Sequence, residues 1–330
     1  MEAETTQQKR KAGAETIQRL LAFAALVILF IVFSFASPYF FTFSNVVGIL
    51  VATAVNGLLA IGVTFIIITG GIDLSVGTVM TLSSVMAAVF VKTWGLPIPL
   101  GILAGVVTGT IAGLVNGLLV TKLNLPPFIA TLGMLNVAKG LALVITDLSP
   151  IYFPLETGWN ELAMGSILGS VIPGFDVPNA VLIMFGAAIV AGLILSKTIV
   201  GRYTFAIGSN EEAARLSGLN VAFWKTAIYA LGGFFVGIAG VVIAARLNSA
   251  QPALGQGYEL DAIAAAVIGG VSLSGGEGSM LGTIIGAFII STLTNGLRIL
   301  SVPQEWQIVV TGLIIILSVY LDILRRRAQQ

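Results

Sequence analysis

The stretch KTIVGRYTFAIGSNEEAARLSGLNVAFWK, residues 197–225, is a polar island in an otherwise apolar chain. It carries six charged side chains, although the whole chain of 330 residues has only 16 Lys and Arg and 15 Asp and Glu. Charged side chains are costly to place in hydrocarbon. We therefore expect this stretch to lie in water at one surface of a membrane.

A short helix is predicted inside this stretch. Ser209, followed three residues later by Glu212, has the form of a capping box at a helix N-terminus, and Gly218 has the form of a C-terminal stop. A helix of two turns is marginal in water, so it needs other groups to pack against. The apolar face available for that packing consists of Ala213, Ala214 and Leu216. We interpret this helix as an element that a partner protein receives.

Composition places the chain in the membrane. Hydrophobic residues make up 57% of it, charged residues 9%, and the mean hydropathy is +1.02, well outside the range of soluble domains. The net charge of +1 gives no attraction to nucleic acid. With neither Cys nor His, thiol and imidazole chemistry are excluded, and we expect no catalytic site, no metal site and no enzyme activity.

Apolar stretches long enough, or nearly so, to cross the bilayer are separated by polar breaks. They predict an all-α, multi-pass membrane protein with about ten transmembrane helices. The predicted spans lie near residues 20–36, 46–69, 76–94, 97–121, 125–146, 179–196, 226–246, 260–275, 279–299 and 307–322.

Charge asymmetry predicts the orientation of these spans. With the N-terminus in the cytoplasm, twelve Lys and Arg lie inside and four lie outside or in the outer half, as the positive-inside rule requires. We therefore expect a cytoplasmic tail at 1–19, a transmembrane domain at 20–322 with a cytoplasmic loop at 197–225, and a cytoplasmic tail at 323–330. Both termini are thus expected inside the cell, and the family resemblance described below implies the cytoplasmic (inner) membrane of a bacterium.

Two features suggest an internal repeat. Asn-Gly-Leu occurs at Asn116 and again at Asn295, and each is followed at the same spacing by a glycine, Gly133 and Gly312. Because each half would hold five spans, an odd number, the halves would have inverted topology. We predict two inverted five-helix halves on this basis. Glycines four residues apart also line spans four and nine, which predicts close helix packing there.

Polar residues within or beside the spans are candidates for a translocation path. Such groups are costly in a membrane, and they either contact a substrate or hydrogen bond between helices. Both readings remain open for this set, and Lys139 can also snorkel outward or pair with an acid. The candidates are Asn56, Asp73, Ser75, Asn116, Thr131, Lys139, Glu259, Asp261 and Asn295.

Several motifs resemble one family of transporters. The pattern of Glu212 to Ala214, Gly218 and Ile228 resembles the E-A-A, G, I signature of permease subunits of ATP-binding-cassette (ABC) importers, although Ala230 and Leu231 replace its final Leu-Pro. TGGIDLSVG at 69–77 resembles the ribose-type sugar permeases.

Further stretches carry the same resemblance. They are Asn56 and Thr64, GYELDAIAA at 257–265, IGG at 268–270 and SLSGG at 272–276.

The resemblance implies partners and a division of labour. A second permease copy (a homodimer or a similar chain), an ABC ATPase that binds ATP and Mg²⁺, and an extracytoplasmic sugar-binding protein would work with this chain. This chain itself lacks the phosphate-binding pattern Gly-x4-Gly-Lys-Ser/Thr, so no cofactor is expected on it. The cytoplasmic helix would couple the permease to the ATPase through Ser209, Glu212, Ala213, Ala214, Leu216 and Gly218.

The substrate class remains open from sequence. The resemblance implies a monosaccharide such as ribose, and a nucleoside or a furanosyl signalling molecule is the alternative within ABC permeases. An ion-coupled secondary transporter is a further alternative, because Asp73 is an acid beside the spans.

Overall fold

The computed structural model describes residues 20–172 and 174–327, and within them the chain is almost wholly helical. The predicted tail at 1–19 lies outside the described residues, as do residues 328–330. The helices are α1 Leu20–Ala36, α2 Phe43–Ile68, α3 Val76–Ala88 continuing as a π-helix Val89–Thr93, α4 Ile98–Thr121, α5 Pro127–Ile145, α6 Glu161–Met164, α7 Ile167–Val171, α8 Asn179–Lys197, α9 Ile199–Ser209, α10 Glu211–Leu216, α11 Val221–Leu247, α12 Tyr258–Ile268, α13 Met280–Ile299 and α14 Gln304–Arg327.

Seven of the described helices are long and apolar enough to cross a membrane, namely α2, α3 with its π-helical end, α4, α5, α8, α11 and α13. Shorter apolar segments occur at Leu20–Ala36 and Gln304–Leu317. The all-α, multi-pass class is therefore confirmed. The count of ten spans and the inverted halves stay predictions.

One predicted span was too long. The eighth span, expected near 260–275, is an 11-residue helix, because the glycines after Ile268 break it; Gly270, Gly275 and Gly276 all have positive φ. At about 1.5 Å per residue this helix covers roughly 16 Å, too little to cross a bilayer. Helix α14 continues to Arg327, into the segment predicted as the C-terminal tail, whose cytoplasmic location stays a prediction.

Glycines determine how the longest helices pack. The Cα of Gly233 in α11 lies 3.0 Å from the position that a Cβ on Gly113 of α4 would occupy, and the Cα of Gly237 lies 2.6 Å from that of a Cβ on Gly109. A side chain at these positions would push the two helices apart. The predicted glycine row of α4 thus faces α11, while Gly282 and Gly286 of α13 face α12.

The bundle has two ends that we name by their contents. The strand end holds a two-stranded antiparallel pair, β1 Ile151–Tyr152 with β2 Ser249–Ala250. The loop end holds residues 197–225, together with the ends of α2 and α4 and the starts of α3 and α11. The core between them is apolar and includes a stacked pair, Phe65 and Phe235, with ring centroids 6.1 Å apart.

Candidate functional site

The short helix predicted in the polar island exists as α10, but its start was predicted wrongly. Ser209 is the last residue of α9, and the backbone of Asn210 is extended between the two helices. The Asn210 side chain caps α10, since its Oδ1 accepts a hydrogen bond from the Ala213 amide at 2.9 Å. Ser209 and Glu212 therefore do not form the capping box. Asn caps a helix as well as Ser does, and because α9 includes Ser209, the next residue, Asn210, is the one that caps α10.

The predicted end of α10 at Gly218 is confirmed. Gly218 has a φ of 89°, and its amide donates to the Arg215 carbonyl oxygen at 3.1 Å. The next amide, of Leu219, donates to the Ala214 carbonyl oxygen at 3.1 Å. These two bonds make a Schellman motif, which satisfies carbonyls that the helix end leaves unpaired.

The expected apolar face of α10 is divided. Ala214 is buried against this chain's own helices, whereas Ala213 is exposed and Leu216 is 83% exposed. The reason is helical geometry, because Leu216 lies two residues and therefore about 200° around the axis from Ala214. Our expectation of one shared face was wrong: Ala214 anchors α10, and Ala213 and Leu216 face outward.

Ion pairs also hold α10 to the body of the protein. Glu211 pairs with Lys225 at the start of α11, with Nζ and Oε2 2.6 Å apart, and with Arg215 at 3.1 Å. The Lys225 side chain is only 14% exposed, so this bond is shielded from solvent on one side. The first residue of α10 is thereby tied to α11.

Three segments meet directly beside α10, and we call them the junction: Ile68 at the end of α2, Gly208 in α9, and Gly276 in the break after α12. The Gly276 amide donates to the Ile68 carbonyl oxygen at 2.8 Å. A Cβ on Gly208 would overlap that same oxygen and lie 2.6 Å from the Gly276 nitrogen. These contacts link α9 directly to α2 and to the segment before α13.

Asp73 lies in the loop between α2 and α3 and is 3% exposed. Its Oδ1 accepts from the Ser75 amide at 2.8 Å and from the Ser75 hydroxyl at 2.6 Å, and Asn116 Nδ2 approaches Oδ2 at 3.4 Å. Asn116 also donates to Ser75 Oγ at 2.9 Å, which joins α4 to this loop. Burial raises the pKa of the Asp73 carboxyl, while these hydrogen bonds lower it. The arrangement is that of a structural cluster.

Lys139 of α5 contacts neither of the nearby acids by a hydrogen bond or ion pair within the described residues. Its Nζ donates instead to Oε1 of Gln256 at 2.9 Å. Glu259, buried in the first turn of α12, accepts from the Gly257 amide with both oxygens at 3.1 Å, and Asp261 is half-buried. Pairing with an acid was one of the alternatives that the sequence left open for Lys139, and in the described residues Gln256, just before α12, is the partner instead.

The other candidates are distributed through the bundle. Thr131 is buried and bonds to the Pro127 carbonyl of its own helix, and Asn295 donates to Asn45 Oδ1 at 2.9 Å. Asn56 has a buried Oδ1 without a hydrogen-bond partner among the described residues. The structure therefore brings together Asp73, Ser75 and Asn116, and it separates them from Lys139.

Four residues escaped the sequence reasoning. Two of them could have been found from sequence. Asn210 is a capping residue that precedes two acids, and Gln256 is a polar residue that precedes a helix start. Ile68 and Gly208 carry none, because an isoleucine and a glycine in apolar surroundings are common in this chain. Their importance follows only from contacts between distant segments.

Comparison with known proteins identifies the family. Residues 45–319 match the family described as "Branched-chain amino acid transport system / permease component". The chain is 46% identical to the Ribose import permease protein RbsC of Bacillus subtilis, over 96% of each chain. It is 40% identical to the Ribose import permease protein RbsC of Escherichia coli, over 98% of this chain and 99% of that one.

A third relative is the Xylose transport system permease protein XylH of Haemophilus influenzae, 34% identical over 94% of this chain and 98% of that one. No solved structure matches the chain. The similarity over nearly the whole chain confirms the resemblance read from the motifs and places the protein among multi-pass inner-membrane transport proteins rather than enzymes. The chain therefore belongs to this permease family, as a ribose-type permease subunit of an ABC importer.

Proposed function

We propose that this chain forms the translocation path for ribose or a similar monosaccharide and is driven by a separate ATPase docked at the loop end. The docking of the ATPase is supported by the placement of α10. This helix exposes Ala213 and Leu216 to solvent, while Ala214 and Glu211 hold it against the rest of the protein. An exposed apolar side chain on a helix fixed in this way is suited to a partner's socket. The names of the relatives support the sugar.

The junction supports a mechanism for coupling. Closure of the ATPase pair on ATP and Mg²⁺ would displace α10 and, through Gly208, shift Ile68 and Gly276 together. Ile68 ends α2 and Gly276 precedes α13, so both helices would change position relative to α11. Short packed contacts transmit displacement because close-packed interiors deform little. That shift would open the path to one side of the membrane and close it to the other.

The partners of this mechanism are a second permease copy, the ATPase and an extracytoplasmic sugar-binding protein. In the proposed orientation the loop end is cytoplasmic and receives the ATPase. The strand end then faces outward and receives the binding protein. The substrate needs only weak binding here, because capture belongs to the binding protein.

Reconstitution tests the proposed function. The permease, its ATPase and its sugar-binding protein are placed in vesicles, and uptake of labelled ribose is measured with ATP and with an ATPase variant that cannot hydrolyse it. We expect uptake that needs ATP and the binding protein. Competition with xylose and a nucleoside sets the substrate class: preferential competition by the nucleoside would overturn the sugar assignment. Uptake that is equal without ATP would overturn the coupling.

A further inference from the structure

We infer that Asn136, Lys139, Gln256 and Asp261 form a sugar subsite midway through the translocation path, an inference that rests on the proposed function. The two elements that carry these residues, α5 and the start of α12, meet through the hydrogen bond from Lys139 to Gln256 at 2.9 Å. Within the described part of the chain, the group shares no side-chain hydrogen bond with the Asp73 cluster, whose members bond to one another.

The depth of the group follows from helix geometry. Lys139 lies twelve residues into α5, about 18 Å along a helix of roughly 28 Å, so it is well inside the span. The segment before α12 descends from β2 along α3, since the Leu254 carbonyl accepts from Thr81 at 2.9 Å and Gly255 lies against Gly77. Gly77 follows Ser75, which bonds to Asn116 five residues before the end of α4, so α12 begins inside the bundle and not at its loop end.

The polar groups are accessible. Asn136 and Gln256 are exposed, and Lys139 and Asp261 are half-buried. Asn136 and Lys139, three residues apart, share a face of α5. Gln256 lies just before the cap of α12 and Asp261 lies in its first turn, four residues after the cap, and these two positions are neighbours at a helix start.

Open space adjoins the group. Gly133 and Gly140 lie on the Asn136 face of α5, and among the described residues no atom comes within 4 Å of a Cβ placed on either. Exposed polar groups at this depth are too costly to face lipid. Apolar residues of the same elements, such as Val137 and Leu260, are exposed as well and are suited to lipid. The polar face is therefore directed to the aqueous path.

The chemistry of the group matches a sugar. Each hydroxyl of a monosaccharide donates one hydrogen bond and accepts others, and an ammonium, two amides and a carboxylate supply both functions. Within the described residues, the Asp261 carboxylate has no hydrogen bond or ion pair, and the Gln256 amide nitrogen has no acceptor. These groups are available to a ligand without breaking contacts of the fold.

Thiol labelling tests the subsite in the assembled transporter, since the chain has no Cys of its own. Asn136→Cys and Gln256→Cys should react with a charged thiol reagent, and millimolar ribose with the binding protein should slow that reaction. The control is Leu260→Cys, on the exposed apolar side of α12, whose reaction should not respond to ribose. Absence of labelling at both sites, or labelling that ribose does not slow, would overturn the subsite.

Transport by Gln256→Leu gives a second readout. We expect the uptake of ribose to fall about tenfold, as for the loss of one hydrogen bond to a hydroxyl, and the preference for ribose over 2-deoxyribose to change. ATPase binding and dimer size should stay unchanged. If the dimer dissociates instead, the face is a contact between copies and the subsite is wrong. If unmodified protein takes up no ribose, the proposed function itself fails.

Discussion

The amide of Gly276 donates a hydrogen bond to the carbonyl oxygen of Ile68 at 2.8 Å, and Gly208 is packed against both residues. This contact joins the end of α2 to the break between α12 and α13, directly beside the helix that we propose as the ATPase docking element. Gly276 has a φ of 76°, which a side chain would strain, so the turn that presents its amide needs glycine.

Gly208→Ala is expected to uncouple transport from ATP hydrolysis. An added methyl group would overlap the Ile68 carbonyl, and relieving such overpacking costs about 1–3 kcal/mol and shifts the junction. We expect the protein to insert and to bind its ATPase, with fewer sugar molecules moved per ATP hydrolysed. Gly186→Ala is the matched control, since a methyl group there meets nothing within 4 Å among the described residues. Unchanged coupling in Gly208→Ala would contradict the junction as the transmitting contact.

Asp73→Ala is expected to lower thermal stability in detergent more than Asp73→Asn does. The alanine leaves the Ser75 amide and hydroxyl without their buried acceptor, at a cost of about 1–3 kcal/mol, whereas the Asn oxygen can still accept. The hydrogen-bond partners of Asp73 are neutral, so no unpaired charge adds to the cost. Equal melting temperatures for Asp73→Ala and the unmodified protein would exclude a structural role.

Leu216→Asp is expected to abolish capture of the ATPase without disturbing the permease. Leu216 is exposed in this chain, so the substitution removes apolar surface from the docking face and adds a charge that a socket would have to desolvate. Co-purification with the ATPase and the melting temperature are measured together, and Leu216→Met serves as the conservative control. Normal capture by Leu216→Asp would show that the ATPase binds elsewhere.

Gly218→Val is expected to displace α10 through its backbone. The left-handed conformation costs an ordinary residue about 1–2 kcal/mol, and a β-branched one is poorly tolerated there. There is open space around a Cβ at this position within the described chain, so packing does not add to the cost. Gly218→Asn, which accepts this conformation, should retain uptake and ATPase binding that Gly218→Val loses. Equal loss in both variants would point to a different role for Gly218.

Labelling of single cysteines is expected to establish the orientation. Leu155, which is 85% exposed in the segment between α5 and α8, should react from outside the cell as Leu155→Cys. Lys122→Cys, in the turn between α4 and α5, should react only after the membrane is made permeable. The charge asymmetry of the chain gives this expectation. The reverse pattern would place the 197–225 loop outside the cell, where no ATPase can reach it.

The sequence by itself determined the class, the family and the end of the docking helix. A long apolar run forms a helix because the membrane offers no water to hydrogen bond an unpaired backbone. The position of each helix can therefore be read from the composition of one continuous stretch of sequence. The role of Gly218 was also predictable, because the residues next to a helix end specify where the helix stops. The family resemblance rested on several motifs in one order, and the comparisons confirm it.

Only the tertiary structure decided which polar residues act together. The choice of Asn210 over Ser209 as the cap depends on where α9 ends, and the length of α12 depends on the glycine break that packs against Ile68 and Gly208. Lys139 bonds to Gln256 because the segment after β2 folds down along α3, a path that no local pattern encodes. Contacts between distant segments are set by close packing of whole helices, and this geometry is absent from any short window of sequence.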